Sequence, residues 1–202
     1  IARKAAEAAL GGKVTTGFDF GSDAGQSVTV QSDGKILVAG KALIVSDYDF
    51  ALVRYNANGS LDTTFDIDGK VATDFSLADD AGRSVTVQSD GKILVAGYTN
   101  FLGTYDFTLI RYNADGALDT TFDSDGKVTT DFSANSDEGN GVALQSDGKI
   151  LVTGQTWNGT NYDFALIRYN SNGSLDATFD TDGKVTTDFF ANSDEGKSVA
   201  IQ

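Results

Sequence analysis

The chain has 202 residues, with 15 lysines and arginines against 29 aspartates and glutamates, so its formal net charge is −14. It contains no histidine, cysteine, methionine or proline. These absences exclude a Ser-His-Asp triad, a thiolate nucleophile, a disulfide framework and metal sites built from histidine or cysteine. The negative charge argues against a nucleic-acid partner, since phosphates repel it. No apolar run approaches the roughly 20 residues that span a bilayer, so we predict no membrane insertion.

Residues 1–11 form the first predicted element. This segment is rich in alanine, a good helix former, and the glycine pair at 11–12 would end a helix there. We predict a short N-terminal helix that covers the edge of a sheet. The alternative is a linker without a role in the fold.

An internal repeat of 57 residues organises the rest of the chain. The motif Gly-Lys-Val recurs at this spacing, beginning at Gly12, Gly69, Gly126 and Gly183. The motif Gln-Ser-Asp-Gly-Lys-Ile-Leu-Val recurs at the same spacing, beginning at Gln31, Gln88 and Gln145. No insertion breaks the register, which gives repeats at 12–68, 69–125 and 126–182 and a partial fourth repeat at 183–202.

Within one period of the repeat, short β-type segments alternate with glycine-containing turns. Extended segments are predicted at 84–88, 93–97, 106–112, 118–122 and 126–132. About four antiparallel strands per repeat of this size are typical of a β-propeller blade. A β-solenoid is the alternative, but its coils are usually shorter. We therefore predict an all-β fold of tandem four-stranded propeller blades. The array is expected to be incomplete or open, because a closed propeller needs about four to eight blades.

Three motifs in fixed order resemble the delta-60 repeat family of bacterial proteins. They are Gln-Ser-Asp-Gly-Lys-Ile-Leu-Val-Ala-Gly from Gln31 and Gln88, Asp-Phe-Ala-Leu-[Val/Ile]-Arg-Tyr-Asn from Asp49 and Asp163, and Asn-Gly-Ser-Leu-Asp-x-Thr-Phe from Asn58 and Asn172. The resemblance covers essentially residues 12–202. It implies a propeller-like fold and a large bacterial protein, and it implies no assigned activity.

The repeat also predicts partners. A blade face left uncovered in water forfeits burial worth about 12 kcal/mol for ~500 Å², which rivals the whole stability of a domain, about 5–15 kcal/mol. We expect the end blades to contact further repeats of the same array or another copy of the chain.

An acidic turn at each repeat joint is a candidate calcium site. Asp-x-Asp-Gly resembles the middle of a calcium loop, in which alternate carboxylates converge on one hard cation. The candidate ligands are Asp66, Asp68, Asp123, Asp125, Asp180 and Asp182. Threonine replaces the preceding acidic ligand in every copy, and turn formation explains these residues equally well. Calcium is therefore the one cofactor to consider.

A recurring arginine interrupts an otherwise apolar strand at Arg54, Arg111 and Arg168. One reading is a ring that binds anions. The other is a structural ion pair with a repeated aspartate, either Asp62, Asp119 and Asp176 or Asp49, Asp106 and Asp163. We expect the ion pair, because an unpaired buried charge is too costly to be repeated three times.

The repeats differ most between their second and third strands, where large apolar residues appear. The candidates for ligand binding are Leu43, Tyr98, Phe101 and Trp157. Loops on a rigid scaffold commonly carry recognition, and aromatic side chains are favoured anchors. The alternative is local packing against the neighbouring blade.

Paired carboxylates such as Asp137 and Glu138 suggest glycoside hydrolysis, but they recur in every copy, whereas an active site normally breaks repeat symmetry. We therefore predict no enzyme. The expected function is a structural or binding module of a larger secreted or cell-surface bacterial protein, in adhesion or assembly, with a glycan or protein ligand. The alternatives are a calcium-dependent carbohydrate-binding propeller and a glycan-degrading enzyme.

Overall fold

The computed structural model describes residues 12–202 except 19, 20, 76, 77, 102, 133, 134 and 191. The described residues form three antiparallel sheets, each of four strands in chain order. Blade 1 contains β1 (Asp23–Val30), β2 (Ile36–Ile44), β3 (Asp47–Tyr55) and β4 (Lys70–Thr73). Blade 2 contains β5 (Asp80–Val87), β6 (Ile93–Phe101), β7 (Thr104–Tyr112) and β8 (Lys127–Thr130). Blade 3 contains β9 (Asp137–Leu144), β10 (Ile150–Trp157), β11 (Tyr162–Tyr169) and β12 (Lys184–Thr187).

The fold prediction, which included a short helix, needs correction for the part of the chain that the structure describes. The described residues form strands, turns and bends without any helix, and their three sheets do not close into a barrel. The segment 1–11, for which the helix was predicted, lies outside the described residues. Within the described part of the chain, no helix has the length and apolar character to cross a membrane.

A second correction concerns the segment 118–122, which was predicted to be extended. Leu118 forms a single bridge to Tyr112, and the chain then turns, with the Phe122 N–H donating to the Asp119 carbonyl at 2.9 Å. The fourth strand of blade 2 comes instead from Lys127–Thr130, at the start of the following sequence repeat. Each sheet therefore takes three strands from one repeat and its fourth from the next, so every blade is joined covalently across a repeat boundary.

Blade 2 shows why the strands are apolar on both faces. Val95 and Ile110 pack against blade 1, while Leu94 and Leu109 pack against blade 3, and all four are at most 1 % exposed. Neighbouring residues on a strand point to opposite faces, so a sheet buried on both faces needs an apolar run instead of alternation. The sheets thus stack face to face, with one core between blades 1 and 2 and another between blades 2 and 3.

A glycine on the second strand of each blade permits a close approach to the first strand. Gly97 pairs with Gly82 at a β-bulge, where the register shifts between Gly82 and Ser84. A Cβ atom built on Gly97 would lie 1.9 Å from the Ala81 carbonyl oxygen and 3.0 Å from the Phe50 ring. The bulge and the packing against blade 1 therefore both require that this residue has no side chain.

We predict that Gly97→Ala lowers the free energy of unfolding by about 3 kcal/mol, because the added methyl group must push backbone atoms apart. Urea denaturation followed by circular dichroism measures the loss. The matched control is Gly159→Ala, where a Cβ meets nothing within 4 Å and the cost comes from a φ of +100°, about 1 kcal/mol. Equal losses in the two variants would contradict the proposed close approach.

Candidate functional site

The two ends of the blades carry different chemistry. The tip face is the end formed by the connections at 45–46, 102–103 and 158–161, between the second and third strands. The turn face is the opposite end, formed by the connections at 31–35, 88–92 and 145–149. The first residue of each following blade also lies on the tip face, since Asp80 pairs with Thr99 near the end of β6. The tip face therefore contains both the residues that differ between repeats and the joints between neighbouring blades.

The predicted binding residues lie on strands, and the expectation that they occupy loops was wrong. Leu43 on β2 pairs with Tyr48, Tyr98 on β6 pairs with Phe107, and Trp157 is the last residue of β10. Phe101 is the last residue of β6, and its side chain is outside the described part. The candidates belong to three different sheets, so each blade presents its own tip.

Aromatic rings pack against each other at the tips of blades 2 and 3. The Tyr98 and Tyr105 rings pack edge to face with centroids 4.9 Å apart, and the Arg83 guanidinium lies 5.0 Å from the Tyr98 ring. The Trp157 and Tyr162 rings pack in the same way at 5.1 Å. Trp157 and Tyr98 are both partly buried. These rings are held in place by their own hairpin while part of their surface stays accessible.

The acidic turns proposed for calcium have a local structural role. Asp68 Oδ1 accepts the Lys70 N–H at 3.1 Å, and Asp125 and Asp182 accept the equivalent N–H groups at 2.9 Å. Asp66, Asp123 and Asp180 adopt positive φ angles of 45°, 44° and 43°. Among the described residues, the acidic groups close enough to share a cation contain none of these six aspartates. Turn formation accounts for the motif, and calcium at these turns stays a prediction.

Acidic groups that the sequence did not indicate converge at the tip face. The described residues contain three sets whose carboxylate oxygens lie within 4.8 Å of one another: Asp47, Asp49 and Asp74; Asp106, Asp131 and Asp137; and Asp163, Asp188 and Asp194. In the second set, Asp106 and Asp131 belong to blade 2 and Asp137 to blade 3, whereas the first set lies within blade 1 and Asp194 follows the last strand. The common position within each repeat was the available signal, but spacing alone does not show that the side chains meet.

The recurring arginine forms a structural ion pair on the turn face, as expected, and the partner is the first aspartate of the two alternatives. Arg111 Nε donates to Asp119 Oδ2 at 2.6 Å, and the Lys92 amine donates to the same oxygen at 2.7 Å. Arg111 Nη1 also reaches the Ser171 carbonyl of blade 3 at 2.6 Å. The equivalent groups in blade 1 are Arg54, Asp62 and Lys35. The arginine therefore both neutralises an aspartate and links successive blades.

Asp137 and Glu138 do not form the carboxylate pair that hydrolysis would require. Adjacent residues on a strand point to opposite faces. Asp137 belongs to one of the acidic sets, while Glu138 forms a salt bridge with Arg83 at 3.2 Å. The two carboxylates therefore interact with different residues.

The turn face contains a groove between blades 1 and 2 that sequence reasoning missed. It has a volume of about 750 Å³, and its lining includes Lys35, Arg54, Gln31 and Gln88. The side-chain oxygens of Gln31, Gln88 and Gln145 are buried without a hydrogen-bond partner within the described part. The repeated Gln-Ser-Asp-Gly motif was the signal, but it was interpreted as a turn alone.

A comparison with known protein families finds a match for the repeats. A family model described as "Domain of unknown function (DUF5122) beta-propeller" matches residues 31–65, 88–122 and 145–179, which together make up just over half of the chain. Each matched segment extends from the turn-face glutamine to the phenylalanine beneath the recurring arginine. No curated protein matches the chain.

We predict that Asp119→Asn destabilises the fold by about 3 kcal/mol, because two cations lose their buried counter-charge. Asp119 is 3 % exposed. Chemical denaturation at pH 7 measures the effect, and Asp90→Asn, an exposed aspartate on the neighbouring turn, is the control. Equal stability of Asp119→Asn and the wild type would contradict this role.

The same ion pair predicts a loss of stability in acid. Burial acts to raise the pKa of Asp119, but hydrogen bonds from Lys92, Thr121 and Arg111 hold this pKa well below its usual range. A lowered folded-state pKa contributes stability above the unfolded pKa of about 3.9, and this contribution is lost as pH falls further. Between about pH 5 and pH 2, the wild type should therefore lose more stability than Asp119→Asn in the same denaturation experiment.

Proposed function

The chain belongs to the DUF5122 β-propeller family of unknown function, and from this premise we propose that it is a non-enzymatic scaffold and binding module. Its end sheets join further blades of the same kind, and its tip face presents side chains that differ from blade to blade. We place the module in a larger secreted or cell-surface bacterial protein with a role in assembly or adhesion. The acidic, cysteine-free composition and the resemblance of the repeats support this setting.

The observation that carries the proposal is a valine repeated in three blades. Val85 and Val142 are 7 % and 9 % exposed, because each faces the preceding blade, but the equivalent Val28 is 64 % exposed. Val30 on the same strand is also 64 % exposed. The outer face of blade 1 therefore carries the same apolar residues as a buried blade face, but the described part of the chain covers them only in part.

The surface that fits this face is another blade of this repeat. Residues 13–16 precede β4 by one period, and the Tyr55 hydroxyl donates to Thr16 Oγ1 at 2.6 Å. The equivalent contact inside the array joins Thr73 of blade 1 to Tyr112 of blade 2 at 2.7 Å. The segment 13–16 thus takes the place of the last strand of a preceding blade, and the remaining strands of such a blade would cover Val28.

We predict that the 202-residue chain self-associates through this face and that Val28→Asp weakens the association at least tenfold, because a charge would be buried against apolar side chains. Light scattering with size-exclusion chromatography over a range of concentrations measures the association. The control is Val45→Asp, at a residue that is 92 % exposed at the tip of blade 1. A folded monomer at every concentration would contradict the assembly role.

A second candidate function is a calcium-dependent carbohydrate-binding module. The specific observation in its favour is that the aromatic tips, such as Trp157 with Tyr162, lie on the same face as the acidic sets. Rigid, partly exposed aromatic rings are suitable anchors for a ligand.

A glycan array probed with the wild type, with calcium and then with chelator, tests this second candidate. We predict that Trp157→Ala reduces signal on any bound glycan at least tenfold, because the ring supplies the contact area. Phe190→Ala, at a residue that is 90 % exposed, is the control. Glycan binding that persists in both chelator and Trp157→Ala would rule out this mode of recognition.

A further inference from the structure

The joint between blades 2 and 3 brings three carboxylates together from three segments. Asp106 lies on β7, Asp131 directly follows β8, and Asp137 is the first residue of β9. Each offers one oxygen, and these oxygens lie within 4.8 Å of one another. The equivalent residues Asp163, Asp188 and Asp194 converge in the same way one period later. The arrangement is therefore a property of the blade joint and is repeated with it.

Asp137 carries an unsatisfied oxygen at this joint. The residue is 0 % exposed, and its Oδ2 accepts the Phe132 N–H at 2.7 Å. Its Oδ1 is buried and has no hydrogen-bond partner within the described part of the chain. Hydrogen bonding between the Asp137 carboxylate and the Thr156 side chain lowers the pKa of Asp137, and hydrogen bonding with Asp131 raises it. A buried carboxylate oxygen without a partner is costly, and a cation would satisfy it.

The electrostatics of the joint also favour a cation. Burial and the neighbouring carboxylates of Asp131 and Asp137 raise the pKa of Asp106 to about 6. Burial and Asp131 raise the pKa of Asp137 to about 6, against the hydrogen bonds it accepts. Lys184 approaches the same joint, where its amine donates to the Asp131 carbonyl at 3.2 Å. Three carboxylates lie close together at this joint, and like charges at such separations repel one another unless a cation lies between them.

We propose that Asp106, Asp131 and Asp137 bind a divalent hard cation, Ca²⁺, that clamps blade 2 to blade 3. Calcium takes six to eight oxygen ligands at 2.3–2.6 Å in flexible geometry, so three carboxylate oxygens within 4.8 Å of one another can contact one ion. Magnesium requires near-ideal octahedral geometry and usually keeps several waters, so a set of carboxylates from three separate segments favours calcium.

This site is independent of the assembly role proposed above and differs from the acidic turns of the repeat joints. The turns lie on the turn face, where Asp125 Oδ1 accepts the Lys127 N–H. The carboxylates of the clamp lie on the tip face and span two blades. A clamp at the joint should raise the melting temperature, because an ion that binds only the folded state stabilises it.

The test measures calcium bound to the purified 202-residue chain by isothermal titration calorimetry, together with melting temperatures in calcium and in EDTA. The variants are Asp106→Asn and Asp137→Asn. The matched control is Asp23→Asn, since Asp23 occupies the position of Asp137 in blade 1 and its Oδ2 accepts the Phe18 N–H at 3.0 Å. The position corresponding to Asp131 is Gly17 there, so blade 1 has no equivalent clamp at β1. Asp125→Asn reports on the acidic turns.

We expect saturable calcium binding with a dissociation constant of about 1 mM or tighter, as in extracellular modules. Asp106→Asn should lose one equivalent of bound calcium, and Asp23→Asn and Asp125→Asn should lose none. In EDTA, Asp106→Asn should melt no lower than the wild type, because one of three repelling charges is removed, whereas in calcium it should melt lower. A residue with only a packing role would lower the melting temperature in both solutions.

Two results would overturn the clamp. One is the absence of any binding heat up to about 10 mM calcium, well above the weakest extracellular sites. The other is loss of calcium in Asp125→Asn while Asp106→Asn keeps every equivalent, which would place the ion at the turns. Circular dichroism checks that each variant folds, and the half-buried Asp106 decides the question if Asp137→Asn does not fold. An unchanged light-scattering profile in Asp106→Asn would separate the clamp from the proposed assembly.

Discussion

A sheet that is apolar on both faces must be covered on both faces, and this constraint governs the whole molecule. Blade 2 meets it fully, with Val95 buried against blade 1 and Leu94 buried against blade 3. Blade 1 meets it on one side, as the exposure of Val28 shows. Because burial of apolar area is the main favourable term in folding, the blades derive their stability from their neighbours. A repeat of this kind therefore depends on its neighbours for the burial of its apolar faces.

The polar groups at the blade joints also depend on the neighbouring blade. Arg111 is placed on an apolar strand, and its charge is compensated within its own blade by Asp119 while one of its N–H groups bonds to the Ser171 carbonyl of the next blade. Its side chain is 7 % exposed, whereas the equivalent Arg168 of the last blade is 20 % exposed. The difference arises because a following blade covers the first arginine. A buried ion pair contributes little stability over apolar packing, so we attribute its repetition to the alignment of neighbouring blades.

The sequence predicted the blade and the ion pair because both depend on local patterns repeated at a fixed period. The hairpin turns follow from Asp-Gly, and the strands follow from apolar runs such as 93–97. The role of 118–122 could not be predicted, since a bridge at Leu118 followed by a turn has the same composition as a short strand. The acidic sets were also missed. Asp106 and Asp131 are neighbours only because β7 and β8 pair within a blade, and Asp137 joins them only because the next blade begins at that point. Proximity of this kind arises from tertiary packing, which spacing in one sequence does not reveal.

The net charge of −14 is distributed unequally between the two faces, and this distribution limits what the tip face can recognise. On the turn face, Asp62 and Asp119 each contact an arginine and a lysine, so their charge is largely cancelled locally. On the tip face, Asp49 and Asp106 face other aspartates, and burial together with this repulsion raises their pKa values to about 7 and about 6. Charges of one sign concentrated at a surface attract opposite charges and repel like ones. An anionic ligand would therefore approach the aromatic tips against an unfavourable field unless cations had first neutralised the joints, whereas a neutral ligand would meet no such barrier. If the joints bind cations and the tips bind a ligand, the two binding events would for this reason be physically coupled, although they depend on different residues.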